Sequence, residues 1–249
     1  MKLRLAKSAG FCYGVRRAVE LAGEAAASGR PCVMLGSIIH NRDVVGSLAR
    51  QGLTAVDRVE DVLSGYGVII RSHGESRETY RRLEAQGADI LDATCPNVKR
   101  IHHIVARAEE QGRQPVIIGA PDHPEVAAIA GWCSRPVVLS GVEDLEKWLE
   151  EQPERRDLPL TFVSQTTSTQ KIWNDCVKKA KKSVQTQNFL IQYAERHQNA
   201  RRKPISWPRS ATQWWSSATV RAPIPSIWRR SAGRSAPTSS SSSGHQTWI

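Results

Sequence analysis

Up to about residue 182, short apolar runs alternate with longer stretches in which apolar side chains recur every three to four positions. Runs rich in Val, Ile and Leu stand at Lys2–Ala6, Pro31–Gly36, Gly67–Arg71, Gln114–Gly119, Arg135–Leu139 and Leu160–Val163. Each has the length of a strand. Between most of them the spacing is helical. Val15, Val19 and Ala22 with Leu21 make one apolar face, and Val105, Ala106 and Ala108 with Ile101 make another. Lys171–Lys182 predicts a further helix, with Trp173, Val177 and Ala180 inside and its lysines outside. Gly29, Gly52, Gly87 and Gly112 follow helices, where a C-terminal cap calls for positive φ. The fold class is therefore α/β, with parallel sheets joined by helices and chemistry on the loops after strands.

Past residue 182 the alternation stops. Residues 183–249 hold five of the eight tryptophans, many Arg, Ser and Pro, and a Ser run at 239–243. Much of the +11 formal charge sits there, since nine Lys and Arg face one acidic residue, Glu195. A basic, Trp-rich tail suits nucleic acid, but charges scattered among Ser and Pro give no continuous surface, so nucleic-acid binding is the weaker expectation. Met1–Lys7 alternates charged and apolar residues as a first strand would, unlike a signal peptide. No apolar run approaches membrane-spanning length, and five cysteines without extracellular cues point to a reducing cytoplasm.

Two cysteines stand in distinctive settings. Cys12 lies in Ala-Gly-Phe-Cys-Tyr-Gly-Val (9–15), where a helical pattern starts at once after it. Cys95 lies in Asp-Ala-Thr-Cys-Pro (92–96), held by Pro96 at the start of a new element. A thiol before a helix N-terminus is favoured as thiolate, which suits a metal or iron–sulfur ligand or a nucleophile. Four motifs follow strands: Ile-Ile-His-Asn with His40, Arg-Ser-His-Gly with His73, Asp-His-Pro-Glu with His123 and Glu125, and Ser-Gln-Thr-Thr with Thr166. Histidines and threonine hydroxyls gathered at strand ends suit a small, highly anionic ligand.

Taken in order, Gly-Phe-Cys-Tyr-Gly-Val-Arg-Arg-Ala, Ile-His-Asn, Arg-Ser-His-Gly, Asp-Ala-Thr-Cys-Pro-Asn-Val, His-Pro-Glu-Val and Gln-Thr-Thr closely resemble the 4-hydroxy-3-methylbut-2-enyl diphosphate reductase family. The resemblance covers residues 1 to about 182. It implies three α/β domains around a central 4Fe-4S cluster, each giving one thiolate, with one iron left for the substrate hydroxyl. It implies the last step of the methylerythritol phosphate route to isoprenoids, a reductive dehydroxylation giving isopentenyl and dimethylallyl diphosphate. Electrons would come from ferredoxin or flavodoxin. By position, Cys12 and Cys95 match cluster ligands, His40, His73 and His123 match the diphosphate-binding histidines, Glu125 matches the proton donor, and Thr166 matches a relay or orienting hydroxyl. The domain organisation expected is 1–95, 96–182 and an atypical tail, 183–249, in place of a third domain.

The family's third cysteine, in a Thr-Ile-Cys motif followed by Arg-Gln, has no counterpart here. The last cysteine, Cys176, lies on the lysine-rich helix and reads as a packing or surface thiol. Loss of the motif and the change of composition coincide near residue 183, as a single-base insertion or deletion in the coding sequence would produce.

Overall fold

The computed structural model describes residues 10–184 and the backbone of residues 189–192. From Phe11 on they belong to one compact unit, Phe11–Arg202. The strand expected at Lys2–Ala6 and the tail beyond residue 192 lie outside the described residues.

The chain builds two sheets of four parallel strands. The first holds β1 (Cys32–Leu35), β2 (Thr54–Val56), β3 (Gly67–Ile70) and β4 (Asp89–Asp92) in the order β2-β1-β3-β4. The second holds β5 (Gln114–Ile118), β6 (Val137–Leu139), β7 (Leu160–Ser164) and β8 (Phe189–Gln192) in the order β6-β5-β7-β8. The two halves share one topology. In each, the strand order reverses between the first strand and the third, which leaves a crevice beyond their C-terminal ends. In register, Leu35 pairs with Ile70 and Ile118 with Ser164, so the crevices open after residues 35 and 70 and after 118 and 164.

Alternation along the strands fixes the layers. Val116, Ile118, Leu160 and Phe162 pack on Leu145 and Leu149 of α6 (Val142–Glu151) and on Trp173, Cys176 and Ala180 of α7 (Gln170–Ser183). The intervening Ile117 and Val163 face Ile101 and Val105 of α4 (Pro96–Glu110) and Val126 and Ile129 of α5 (Pro124–Ala130). In the first sheet, Val33, Leu35, Val68 and Ile70 pack with Leu83 of α3 (Arg77–Ala85). The remaining helices, α1 (Tyr13–Ala27) and α2 (Arg42–Ala49), pack on each other.

The predicted apolar runs within the described residues all form strands, and Lys171–Lys182 falls inside α7. Gly29, Gly52, Gly87 and Gly112 take φ of 72°, 89°, 70° and 69°, as their capping positions require. Strands β2, β4 and β8 are additions. The last carries the α/β alternation to residue 192, past the point where the apolar pattern ends. Among the described residues no helix is long and apolar enough to cross a membrane.

Candidate active site

The loops after β1, β3, β5 and β7 bring the predicted residues together. His40 follows β1 and His73 follows β3; their rings stack with centroids 4.7 Å apart. His123 follows β5 and meets His73 edge-on at 5.8 Å. The trio grades from open to enclosed, His40 being exposed and the other two half-buried. Asn41, beside His40, is occupied as the cap of α2, where it accepts from the Val44 N–H at 3.1 Å. His123 caps α5, its Nδ1 accepting from the Glu125 N–H at 3.1 Å. That bond places the proton of the neutral ring on Nε2, leaving it to donate.

Glu125 is 2% exposed and its carboxylate is fully engaged by one residue. The Thr166 N–H donates to Oε1 at 2.6 Å and the Thr166 hydroxyl donates to Oε2 at 2.8 Å. A glycine and a glutamine allow this meeting. The loop after β5 must approach the loop after β7, and a Cβ at Gly119 would lie 2.7 Å from Val126 Cγ2 and 2.9 Å from Gln165 Cβ. Gln165 then locks the two loops, accepting from the Ala120 N–H at 3.1 Å through its side chain.

Cys12 and Cys95 cap α1 and α4, and neither side chain makes a capping hydrogen bond. The two helix starts touch: a Cβ at Gly14 would lie 2.5 Å from Cys95 Sγ. The Cys95 N–H donates to the Ser72 carbonyl at 3.0 Å, which ties this thiol to the loop of His73. These two settings suit soft metal ligands. A cluster held by three thiolates needs one more, and the other three cysteines lie elsewhere. Cys32 opens β1, at the end of the sheet away from the crevice. Cys176 is fully buried in the core under α7, and Cys133 packs against the Ile101–Val126 cluster. Burial pushes both thiols up to about 11. Among the described residues no group of three or more His, Cys, Asp or Glu side chains is arranged to hold a metal. The residues present therefore do not fit the three-thiolate 4Fe-4S site that the resemblance implies.

A second layer, absent from the sequence reading, holds these loops. His102 of α4 is 1% exposed and stacks on Trp132, with centroids 4.9 Å apart. Its Nε2 makes no hydrogen bond with the described residues. Burial, partly opposed by Asp92, depresses the imidazole to about 4. A folded-state value below the ordinary 6.5 means that the unfolded chain binds the proton better. The stabilisation is complete above pH 6.5 and fades as pH falls toward 4. Urea titrations across this window should show a loss of about 2–3 kcal/mol. A His102→Leu variant should lack that part of the slope; an unchanged slope would show that His102 is not its source.

The topology defines an α/β protein of two doubly wound sheets, with three imidazoles gathered on the loops after their strands. The chain matches the LytB protein family over residues 3–203, and it belongs to that family. It is 37% identical over 187 residues to the 4-hydroxy-3-methylbut-2-enyl diphosphate reductase of Caldanaerobacter subterraneus subsp. tengcongensis, covering 72% of this chain and 62% of that protein. It is 34% identical over 209 residues to the reductase of Nitratiruptor sp., covering 82% and 72%. A solved structure of (E)-4-hydroxy-3-methyl-but-2-enyl diphosphate reductase, the terminal enzyme of the non-mevalonate pathway, superposes with TM-score 0.65 at 32% identity, covering 76% of this chain and 66% of that one. The Plasmodium falciparum reductase superposes with TM-score 0.67 at 25% identity, covering 75% and 57%. This chain thus spans less than two thirds of the length of several relatives. The family match also runs past residue 182, where the motif resemblance ends.

Proposed function

We propose that this chain carries the diphosphate-binding and proton-handling parts of a 4-hydroxy-3-methylbut-2-enyl diphosphate reductase, and that the complete protein yields isopentenyl and dimethylallyl diphosphate. The reading rests on the convergence of His40, His73 and His123 beside the Glu125–Thr166 pair. Stacked imidazoles repel one another when protonated, and a diphosphate among them offsets that repulsion while accepting their N–H bonds. Glu125 takes a proton on Oε2, the Thr166 hydroxyl turns to accept from it, and the hydroxyl proton passes outward to the substrate. In the family, the electrons for breaking the C–O bond come through the cluster from ferredoxin or flavodoxin. Cys12 and Cys95 are the residues assigned to that side of the site, and the missing third thiolate confines the reading for this chain to binding and proton transfer. Domains at 1–95 and 96–182 and a cytoplasmic setting belong to the same proposal. A nucleic-acid role for residues 183–249 would rest on side chains outside the described residues.

Calorimetry with inorganic pyrophosphate tests the reading on the chain as it stands. Replacing His73 by alanine removes the ring that contacts both other imidazoles and is expected to weaken binding about tenfold or more. Wild-type protein without measurable affinity, or a His73→Ala variant that binds equally well, would refute it.

A further inference from the structure

The loop Arg71–Arg77, which carries His73, is gripped from two sides. On one side is α4. Gly74 has φ of +76°, and a Cβ there would lie 2.6 Å from His102 Cε1, so the loop runs directly along the His102 ring. On the other side is the end of α5, the helix that begins with His123 and Glu125. The Trp132 indole N–H donates to the Glu75 carbonyl at 2.9 Å, and the Arg77 N–H donates to the Gly131 carbonyl at 3.2 Å. A Cβ at Gly131 would collide with Ser76, so this approach is as close as the backbone allows. The Arg77 guanidinium covers the indole at 5.8 Å. His102 stacks on the same indole at 17° between planes.

Three separate parts of the site meet at one side chain. Through Glu75 the indole holds the loop of His73, through its own backbone it holds the end of α5, and through His102 it reaches the helix that starts at Cys95. Burial disfavours a charged His102 in this stack. We propose that Trp132 is a positioning residue that fixes His73 relative to His123, and so sets how well the imidazoles together take a diphosphate. The affinity half of this inference rests on the anion-binding reading above; the geometric half does not. A half-ångström change between two donors matters because bidentate recognition of an anion needs both bonds at once.

The test compares full-length wild type with Trp132→Ala and Trp132→Phe. Long-range proton–nitrogen spectra of the imidazoles report His73 and His123 without any ligand, and calorimetry reports inorganic pyrophosphate. In Trp132→Ala the His73 and His123 resonances should shift, and the affinity of the folded protein should fall about tenfold. Trp132→Phe keeps an aromatic surface for His102 but loses the N–H that holds the Glu75 carbonyl, and should restore only part of both. A merely structural tryptophan would lower the melting temperature of Trp132→Ala while leaving the resonances and the affinity of the folded molecules unchanged, and that result overturns the proposal. If wild type does not bind pyrophosphate, the anion-binding reading fails, whereas the resonance shifts still decide the clamp. If Trp132→Ala does not fold, His102→Asn removes the stacked ring from the other side and must shift the same two imidazoles; its failure to do so overturns the proposal.

Discussion

Glu125→Leu should lower stability by about 2–4 kcal/mol, or a melting midpoint lower by about 10 °C. The carboxylate is the acceptor for both the N–H and the hydroxyl of Thr166, and Thr166 is itself 8% exposed. Leucine fits the volume but leaves a backbone N–H and a hydroxyl without partners in a site that water barely reaches. The loss should appear as a connected change, because Glu125 opens α5 while Thr166 follows β7, and this pair joins the two. Glu125→Gln separates structure from chemistry. Its amide oxygen still accepts from the Thr166 N–H, and its NH2 group donates to the hydroxyl oxygen, so stability should stay within about 1 kcal/mol of wild type. Pyrophosphate binding should also persist. On the proton-transfer role proposed above, the amide lacks a proton to give, and any reductive turnover of the complete protein should fall about hundredfold or more. Equal melting temperatures for the leucine and glutamine variants would show that the pair does not hold the two loops together.

Much of this site was legible because the chemistry sits where a simple rule places it. His40, His73 and His123 each follow an apolar run, and parallel strands of one topology put such positions on the same side. The glycine caps were legible for a related reason: positive φ is a local demand that sequence expresses directly. Strands β2, β4 and β8 were not. Thr54 and Ala55 are exposed, so β2 presents no apolar run, and β4 is a pair of apolar residues between two aspartates. Such strands are recruited by pairing with β1 and β3 and owe little to their own composition. The Trp132 clamp was illegible for another reason. Its partners are 30 and 57 positions away, at His102 and Glu75, and no spacing rule connects them. Gly74 and Gly131 carried a faint signal. Each permits a close approach whose partner only the fold reveals.

Anaerobic reconstitution with ferrous iron and sulfide should load this chain to well under one 4Fe-4S cluster per molecule. Whatever does load should vanish in Cys12→Ser or Cys95→Ser. Three thiolates are required to hold such a cluster with one iron open, and all five cysteines of the chain lie within the described residues. Only Cys12 and Cys95 stand at adjoining helix starts. The other candidates fail on physical grounds. Burial raises the thiols of Cys133 and Cys176 to about 11, which disfavours the thiolate that a ligand must become. Cys176 would also have to leave a packed core, abandoning contacts with both α6 and the second sheet. Cys32 has its sulfur against Gly67 at the far end of the strands, where a Cβ on that glycine would lie 2.6 Å from it. Serine at positions 32, 133 or 176 should therefore leave iron content unchanged. A stoichiometric, stable cluster in wild type would mean that an oxygen or nitrogen donor supplies the third bond. If serine at 133 or 176 removed it, the protein would have to rearrange around the metal. With only two thiolates, an iron–sulfur core keeps at least two irons without protein sulfur, exposed to water and to chelators. Its loss on brief treatment with a chelator would separate that state from a properly enclosed cluster.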